Sequence, residues 1–302
     1  MKLEGLHHIT MITADAQATV DFYADTLGLR LVKKTVNFDS PDAYHLYFGD
    51  ETGAPGSILT WFEFPGAAPG RPGIGMIHLL QLGVPSEASL DFWAARLGGT
   101  REAGSLRLAD PDGLALELVV ADDGNPPLRA SHPEIPAEHA ITGLEGARAY
   151  SAYAPVEEAV LTQVLGFAHQ GGGEYLLQGE ERHFHWAYDP APHLGGRQGA
   201  GTVHHIAWTS RDEDHVAWQQ RIIGADGYVS EVRDRDYFRS IYFREPRGVL
   251  FEIATLSPGF AVDEDPEHLG ETLKLPSQHE HLRDKLERAL WPVVNPRAAG
   301  VA

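Results

Sequence analysis

The sequence predicts an α+β protein of four βαβββ modules folded as two incomplete β-barrels. Three observations carry that expectation. An apolar strand, an amphipathic helix and further strands recur four times along the chain. Two of the four opening strands carry the same doublet, His7-His8 and His204-His205. Between the second and third repeats lies a stretch rich in Asp, Gly and Pro, a composition suited to a linker. With 302 residues, 43% of them hydrophobic, the chain has material for two ordinary cores.

The first module opens with LHHITMIT from Leu6, continues as a helix over 15–27 that stops at Gly28, and returns through strands at 44–48 and 57–62. The second opens at 76–84, enters a helix over 86–97 behind Pro85-Ser86, stops at Gly98 and closes on LALELVV after Gly113. The third is predicted at 147–154, with a helix over 156–165 ended by Gly166 and strands at 175–178 and 183–188. The fourth opens at 203–210, has a helix near 212–223 and closes on a hairpin over 240–255 turned by Pro246 to Gly248. The expected domains are therefore an N-terminal pair of modules (1–120), a linker (121–142), a C-terminal pair (143–258) and a tail (259–302). In the tail, Ser277 and Glu280 have capping-box spacing ahead of Leu282, Leu286, Ala289 and Leu290, which predicts a helix packed on the body.

Composition narrows the chemistry. The chain has no cysteine, so thiolate nucleophiles, disulfides and Cys-type metal sites are excluded, and a metal must sit on His, Asp, Glu or Tyr. A formal charge of -19 argues against nucleic acid as a partner. No stretch approaches the roughly 20 apolar residues of a membrane span, so no membrane association is expected and a cytoplasmic location is.

A lone histidine in an apolar strand is ordinarily a hydrogen-bonded core residue. The repeated doublet changes that weighting, and so does Glu252, a carboxylate between Phe251 and Ile253 that requires a cation or a proton if buried. Neighbours in a strand point to opposite faces, so one histidine of each doublet is expected to look into a shared site. Two imidazoles and one carboxylate on sheet positions form a facial set that favours non-heme Fe(II), with Mn(II) compatible with the same ligands.

The elements LHHIT, HHIA at 204–207, DRDYFRSIYFREPRG at 234–248 and LFEIAT, in this order, resemble the vicinal oxygen chelate superfamily, and within it the hydroquinone-type ring-cleaving dioxygenases. The resemblance implies a metal on His8, His205 and Glu252, and pocket roles for His7, Thr10, His204, Arg235 and Tyr242. It further implies an Fe(II)-dependent extradiol-type enzyme of aromatic compound degradation whose partners are a small aromatic substrate and O2; a homo-oligomer is left open. A site shared by His8 and the fourth module requires modules one and four to meet, leaving two and three to pair. Aligning the modules sets His78 against His8 and His205, Glu117 against Glu252, Gly146 in the third opening and Thr60 in the first closing strand. Thr60 is a poor ligand, which disfavours a four-ligand isomerase. His78 and Glu117 are expected to serve packing, His183 and His185 to be surface or pocket-wall residues, and the glycine-rich pieces 171–173 and 195–201 to be loops over the site. Alternatives on the same fold are a glyoxalase-like isomerase, a thiol transferase and a non-catalytic drug-binding protein.

Overall fold

The computed structural model describes residues 1–121, 124–153, 157–225 and 227–296. Every module supplies four strands. The first contributes β1 (Leu6–Thr13), β2 (Arg30–Val36), β3 (Tyr44–Gly49) and β4 (Ile58–Glu63), and the second β5 (Ile77–Val84), β6 (Thr100–Glu102), β7 (Ser105–Ala109) and β8 (Ala115–Val120). The third contributes β9 (Leu144–Ser151), β10 (Ala168–Gly171), β11 (Glu174–Gln178) and β12 (His183–Pro190), and the fourth β13 (Thr202–Ser210), β14 (Arg233–Asp234), β15 (Arg239–Arg244) and β16 (Leu250–Thr255).

Local chemistry sets the helices between the first and second strands. Asp15 is extended and accepts the Ala18 N–H, starting α1 (Ala16–Val20), which widens into a π-turn over Asp21–Thr26 before Gly28. Ser86 accepts the Ser89 N–H at the start of α2 (Glu87–Leu97), which buries Leu90 and Trp93 and stops at Gly98, whose φ of 72° suits glycine. In the third module a π-segment (Val160–Leu165) ends at left-handed Gly166. In the fourth, a 3-10 turn (Asp212–Asp214) runs into α3 (His215–Gly224), which buries Trp218 and Ile222. The third module opens at Leu144 rather than at 147; the predicted strand end at Ala154 and helix start at Val156 lie outside the described residues.

Two eight-stranded sheets result, with orders β14-β15-β16-β13-β1-β4-β3-β2 and β10-β11-β12-β9-β5-β8-β7-β6. Modules one and four therefore make one sheet, and two and three the other, as the sequence predicts. At the centre of each sheet two opening strands run antiparallel, β1 beside β13 and β5 beside β9, and each is flanked by its own module's closing strand in parallel. The two sheets share one apolar core. Trp186 of the second sheet packs 6.0 Å from Trp208 and 5.4 Å from Phe251 of the first, ring centroid to centroid. Burying one such indole is worth up to about 5 kcal/mol of transfer free energy.

The tail closes on the first sheet. Fully buried Lys33 on β2 bonds Asp263 at 2.6 Å and also Glu264. Buried Leu286 of α4 (Arg283–Ala289) packs with Val36 and Leu275. The predicted capping box does not form: Ser277 spends its hydroxyl on Asp236 at 2.9 Å, residues 277–282 make a 3-10 turn, and α4 starts only at Arg283.

Candidate metal centre

Strand register brings three potential ligands together. His8 on β1 stands opposite Ala207 on β13, which stands opposite Glu252 on β16, so these residues form a row across three adjacent strands. His205 lies two residues before Ala207 on β13 and so shares its face. The Nε2 atom of His205 is 2.9 Å from Glu252 Oε2, that of His8 is 3.4 Å from the same oxygen, and the two Nε2 atoms are 3.4 Å apart. All three side chains are buried, Glu252 completely.

The carboxylate's surroundings fit a cation. Its Oε1 accepts the Ser240 hydroxyl at 2.5 Å, whereas Oε2 has no hydrogen-bond partner despite lying beside two imidazoles. Such a buried orphan oxygen is costly unless a positive charge answers it. Burial pushes the Glu252 carboxyl up, but His8 and His205 outweigh it and hold the group well below the usual carboxylate range. Burial also lowers His205, an effect that Glu252 partly offsets. Ligand atoms bonded to a cation at about 2.0–2.2 Å on adjacent coordination positions stand roughly 3 Å apart, near the spacing found. His8, His205 and Glu252 are the set of this kind among the described residues.

The doublets depart from simple strand alternation. On β1 the register advances from Leu6 opposite Trp208 to His8 opposite Ala207, leaving His7 as an extra residue. On β13 it passes from Thr10 opposite His205 to Met11 opposite Val203, leaving His204 extra. Each doublet thus sits on a β-bulge, which breaks the pleat and turns both rings toward each other. Nδ1 of His7 is 2.8 Å from Nδ1 of His8, and the same 2.8 Å separates Nδ1 of His204 and His205. The first member of each doublet therefore stands behind the second. His7 is buried, its ring 4.9 Å from Phe238, and burial followed by the charge of His8 lowers its pKa to about 3. His204 is exposed at the rim, edge-on to Phe62, its pKa lowered to about 4, chiefly by desolvation and then by His205.

A pocket opens over the triad. Phe38, Phe62, Phe238, Tyr47 and Tyr242 form its apolar wall, and Asn37, His45, Arg235 and Asp39 its polar one; its volume is about 30 Å³. Tyr242 is the cross-strand partner of Glu252, and its ring meets His205 edge-on at 5.8 Å. Burial and the charge of Glu252 push its phenol up. Arg235 donates to the Tyr242 hydroxyl at 3.3 Å and to Asp39 at 3.1 Å, so an ion pair between modules four and one crosses the mouth. Thr10 is fully buried on the His8 face and accepts a hydrogen bond from Thr60 at 3.0 Å. A larger cavity, about 640 Å³ between Leu6, Leu128, Leu144 and Arg211, contains none of these residues.

A profile described as "Glyoxalase/Bleomycin resistance protein/Dioxygenase superfamily" matches residues 5–118 and 158–253. The chain belongs to that superfamily. MhqO of Bacillus subtilis (strain 168), provisionally named a ring-cleaving dioxygenase, is 42% identical over 96% of this chain and 97% of its own. The chlorohydroquinone/hydroquinone 1,2-dioxygenase of Sphingobium indicum is 33% identical over 96% of both chains. A crystal structure of a provisionally named dioxygenase from Bacillus subtilis superposes with a TM-score of 0.88, at 39% identity over 97% of this chain and 98% of the other.

The repetition of the same strand order makes the second sheet a control. There Leu80 faces Ala147 as Ile9 faces Ile206, so Leu79 takes the place of His8, Gly146 that of His205, Glu117 that of Thr60 and Ala187 that of Glu252. His78 is therefore not aligned with His8, as the sequence alignment has it; it occupies the bulge, the place of His7. It bonds Asp189 at 2.8 Å and stacks on Tyr150, while Glu117 accepts from Gln81 and Arg107. His183 and His185 lie on β12, away from the triad's pocket. The glycine-rich loops do not cover the site either: 171–173 turns between β10 and β11, and 195–201 pairs with residues 68–73. Sequence reasoning missed His45, Tyr47 and Ser240; their signal was their place two residues before, or at, the tyrosine facing each closing-strand residue.

Proposed function

We propose that this protein is an Fe(II)-dependent ring-cleaving dioxygenase acting on hydroquinone-like phenols by extradiol-type chemistry, with His8, His205 and Glu252 as the metal ligands. The observation that carries the reading is the orphan Oε2 of Glu252 facing two imidazole Nε2 atoms inside an aromatic pocket. The names of the relatives, ring-cleaving and hydroquinone dioxygenases, support the same class. Mn(II) suits the same donors. When bound, the metal would lower the pKa of a substrate hydroxyl and relay electrons between the ring and O2.

The chain's own residues do the rest. Phe38, Phe62 and Phe238 line the approach to the triad and exclude water, which strengthens every polar contact inside. Tyr242, kept protonated by burial, donates to an oxygen on the substrate, and Arg235 stabilises anionic charge beside it. His7 and His204, neutral at physiological pH, accept the Nδ1 protons of His8 and His205, which turns both Nε2 lone pairs toward the site.

Thr60 ranks this reading above the isomerase: it stands where a fourth ligand would, and instead bonds Thr10 and His45. Anaerobic Fe(II) loading followed by oxygen-electrode assays on a panel of hydroquinones and catechols tests the proposal. Oxygen consumption matched to ring opening of a hydroquinone is expected; turnover without oxygen loss would favour the isomerase.

A further inference from the structure

A hydrogen-bonded chain of side chains runs beside the triad. Thr60 Oγ1 donates to Thr10 Oγ1 at 3.0 Å. A hydroxyl has one hydrogen, so Thr60 must accept from its other neighbour, His45 Nε2, at 2.8 Å. Neutral His45, with its proton on Nε2, then accepts at Nδ1 from the Tyr47 hydroxyl 2.9 Å away. The direction is thereby set from Tyr47 through His45 and Thr60 to Thr10. Thr10's own hydrogen has no acceptor among the described residues, although the side chain is fully buried on the face that carries His8. A buried donor without an acceptor is costly.

The near-twofold relation between modules one and four places the chain opposite Glu252 and its neighbours. Tyr47 faces Thr60 as Tyr242 faces Glu252, and the residue two before each tyrosine, His45 or Ser240, bonds the closing-strand residue. A carboxylate at the place of Thr60 would only accept. A threonine accepts on one side and donates on the other, converting a ligand position into a link.

We infer that His45, held by Tyr47 and acting through Thr60, fixes the Thr10 hydroxyl as a hydrogen-bond donor to an oxygen atom of the bound phenol. His45 is a positioning residue in this scheme, and the inference rests on the reading of the pocket as a phenol site. Neither titratable member of the chain changes charge readily, because burial pushes the Tyr47 phenol up and His45 down. The chain therefore orients a donor and carries no net proton.

Two measurements test it. In uniformly 15N-labelled, metal-free protein, the His45 ring should show the neutral Nε2–H tautomer, and Thr60→Val should shift its Nε2 signal; an Nδ1–H tautomer overturns the inference whatever the enzyme does. In Fe(II)-loaded protein, His45→Leu and Thr60→Val should each lower hydroquinone turnover roughly tenfold, the weight of one hydrogen bond, with iron content unchanged. The double variant should be no worse than either single, and His45→Gln, which keeps a donor toward Thr60, should recover most of the rate. Multiplicative losses, or loss of iron in His45→Leu, would count against a positioning role. If wild type fails to consume oxygen with any hydroquinone, the proposed function fails while the tautomer measurement still decides the direction of the chain.

Discussion

Thr60 occupies, on the closing strand of module one, the place that Glu252 occupies on that of module four. Thr60 faces Thr10, which faces His205, while Glu252 faces Ala207, which faces His8. One half of a symmetric frame thus offers a carboxylate and the other a hydroxyl, so a cation held there would meet one donor from module one and two from module four.

Restoring the symmetry should change the chemistry. Thr60→Glu is expected to bind divalent metal more tightly than wild type and to lose oxygen consumption, because the fourth donor fills a position that ring or O2 needs. Metal titration alongside the oxygen electrode checks both halves; retained oxygen uptake with a fourth ligand in place would refute the account.

The ligand set makes a sharper distinction. His8→Ala, His205→Ala and Glu252→Ala should each abolish stoichiometric metal and turnover, whereas His78→Ala, whose ring is committed to Asp189 and Tyr150, keeps both. Metal analysis of the purified variants reads this directly.

The bulged partners predict a graded effect. With Nδ1 of His8 and His205 each held at 2.8 Å by the preceding histidine, His7→Phe or His204→Phe should weaken metal binding about 10–100-fold without abolishing it. Competition with a chelator of known affinity measures the difference.

These partners also mark what sequence reasoning could reach. The doublets, the isolated carboxylate at 252 and the recurring modules were legible because each breaks or repeats an apolar pattern. The bulges were not: one inserted residue leaves no mark on composition, yet it reverses where His7 and His204 point and moves His78 by one place relative to His8. His45 was hidden for a different reason, since in YHLYFG it reads as one more ring in a buried strand. Ser277 and Glu280 matched a helix cap in spacing, but Asp236, 41 residues away, took the serine.

Acid should destabilise the metal-free fold. The pKa of buried His215 is lowered to about 4, first by desolvation and then by Arg239. The unfolded chain, with a histidine pKa of about 6.5, binds more protons between those values. Stability is therefore full above about pH 6.5 and falls as pH drops toward 4, by on the order of 1–3 kcal/mol for this group. Urea denaturation at several pH values should show the fall, and His215→Gln should flatten it.

Asp39 is 62% exposed in its pairing with Arg235, so the link across the pocket mouth is weak. Asp39→Ala should leave metal content intact and alter KM for a carboxylate-bearing hydroquinone by at most about fivefold, downward, because the guanidinium is freed for the substrate's charge. Steady-state kinetics with neutral and anionic substrates side by side tests this; an equal change for both would argue against competition for Arg235.

The pairing of β1 with β13 has a consequence for biosynthesis. His8 leaves the ribosome 197 residues ahead of its partner His205, with Glu252 later still. Until then β1 of the nascent first module has β4 along one edge and lacks β13 along the other. Contacts this distant in sequence make for slow maturation, so a cation that needs all three groups can be captured only after β16 has been made.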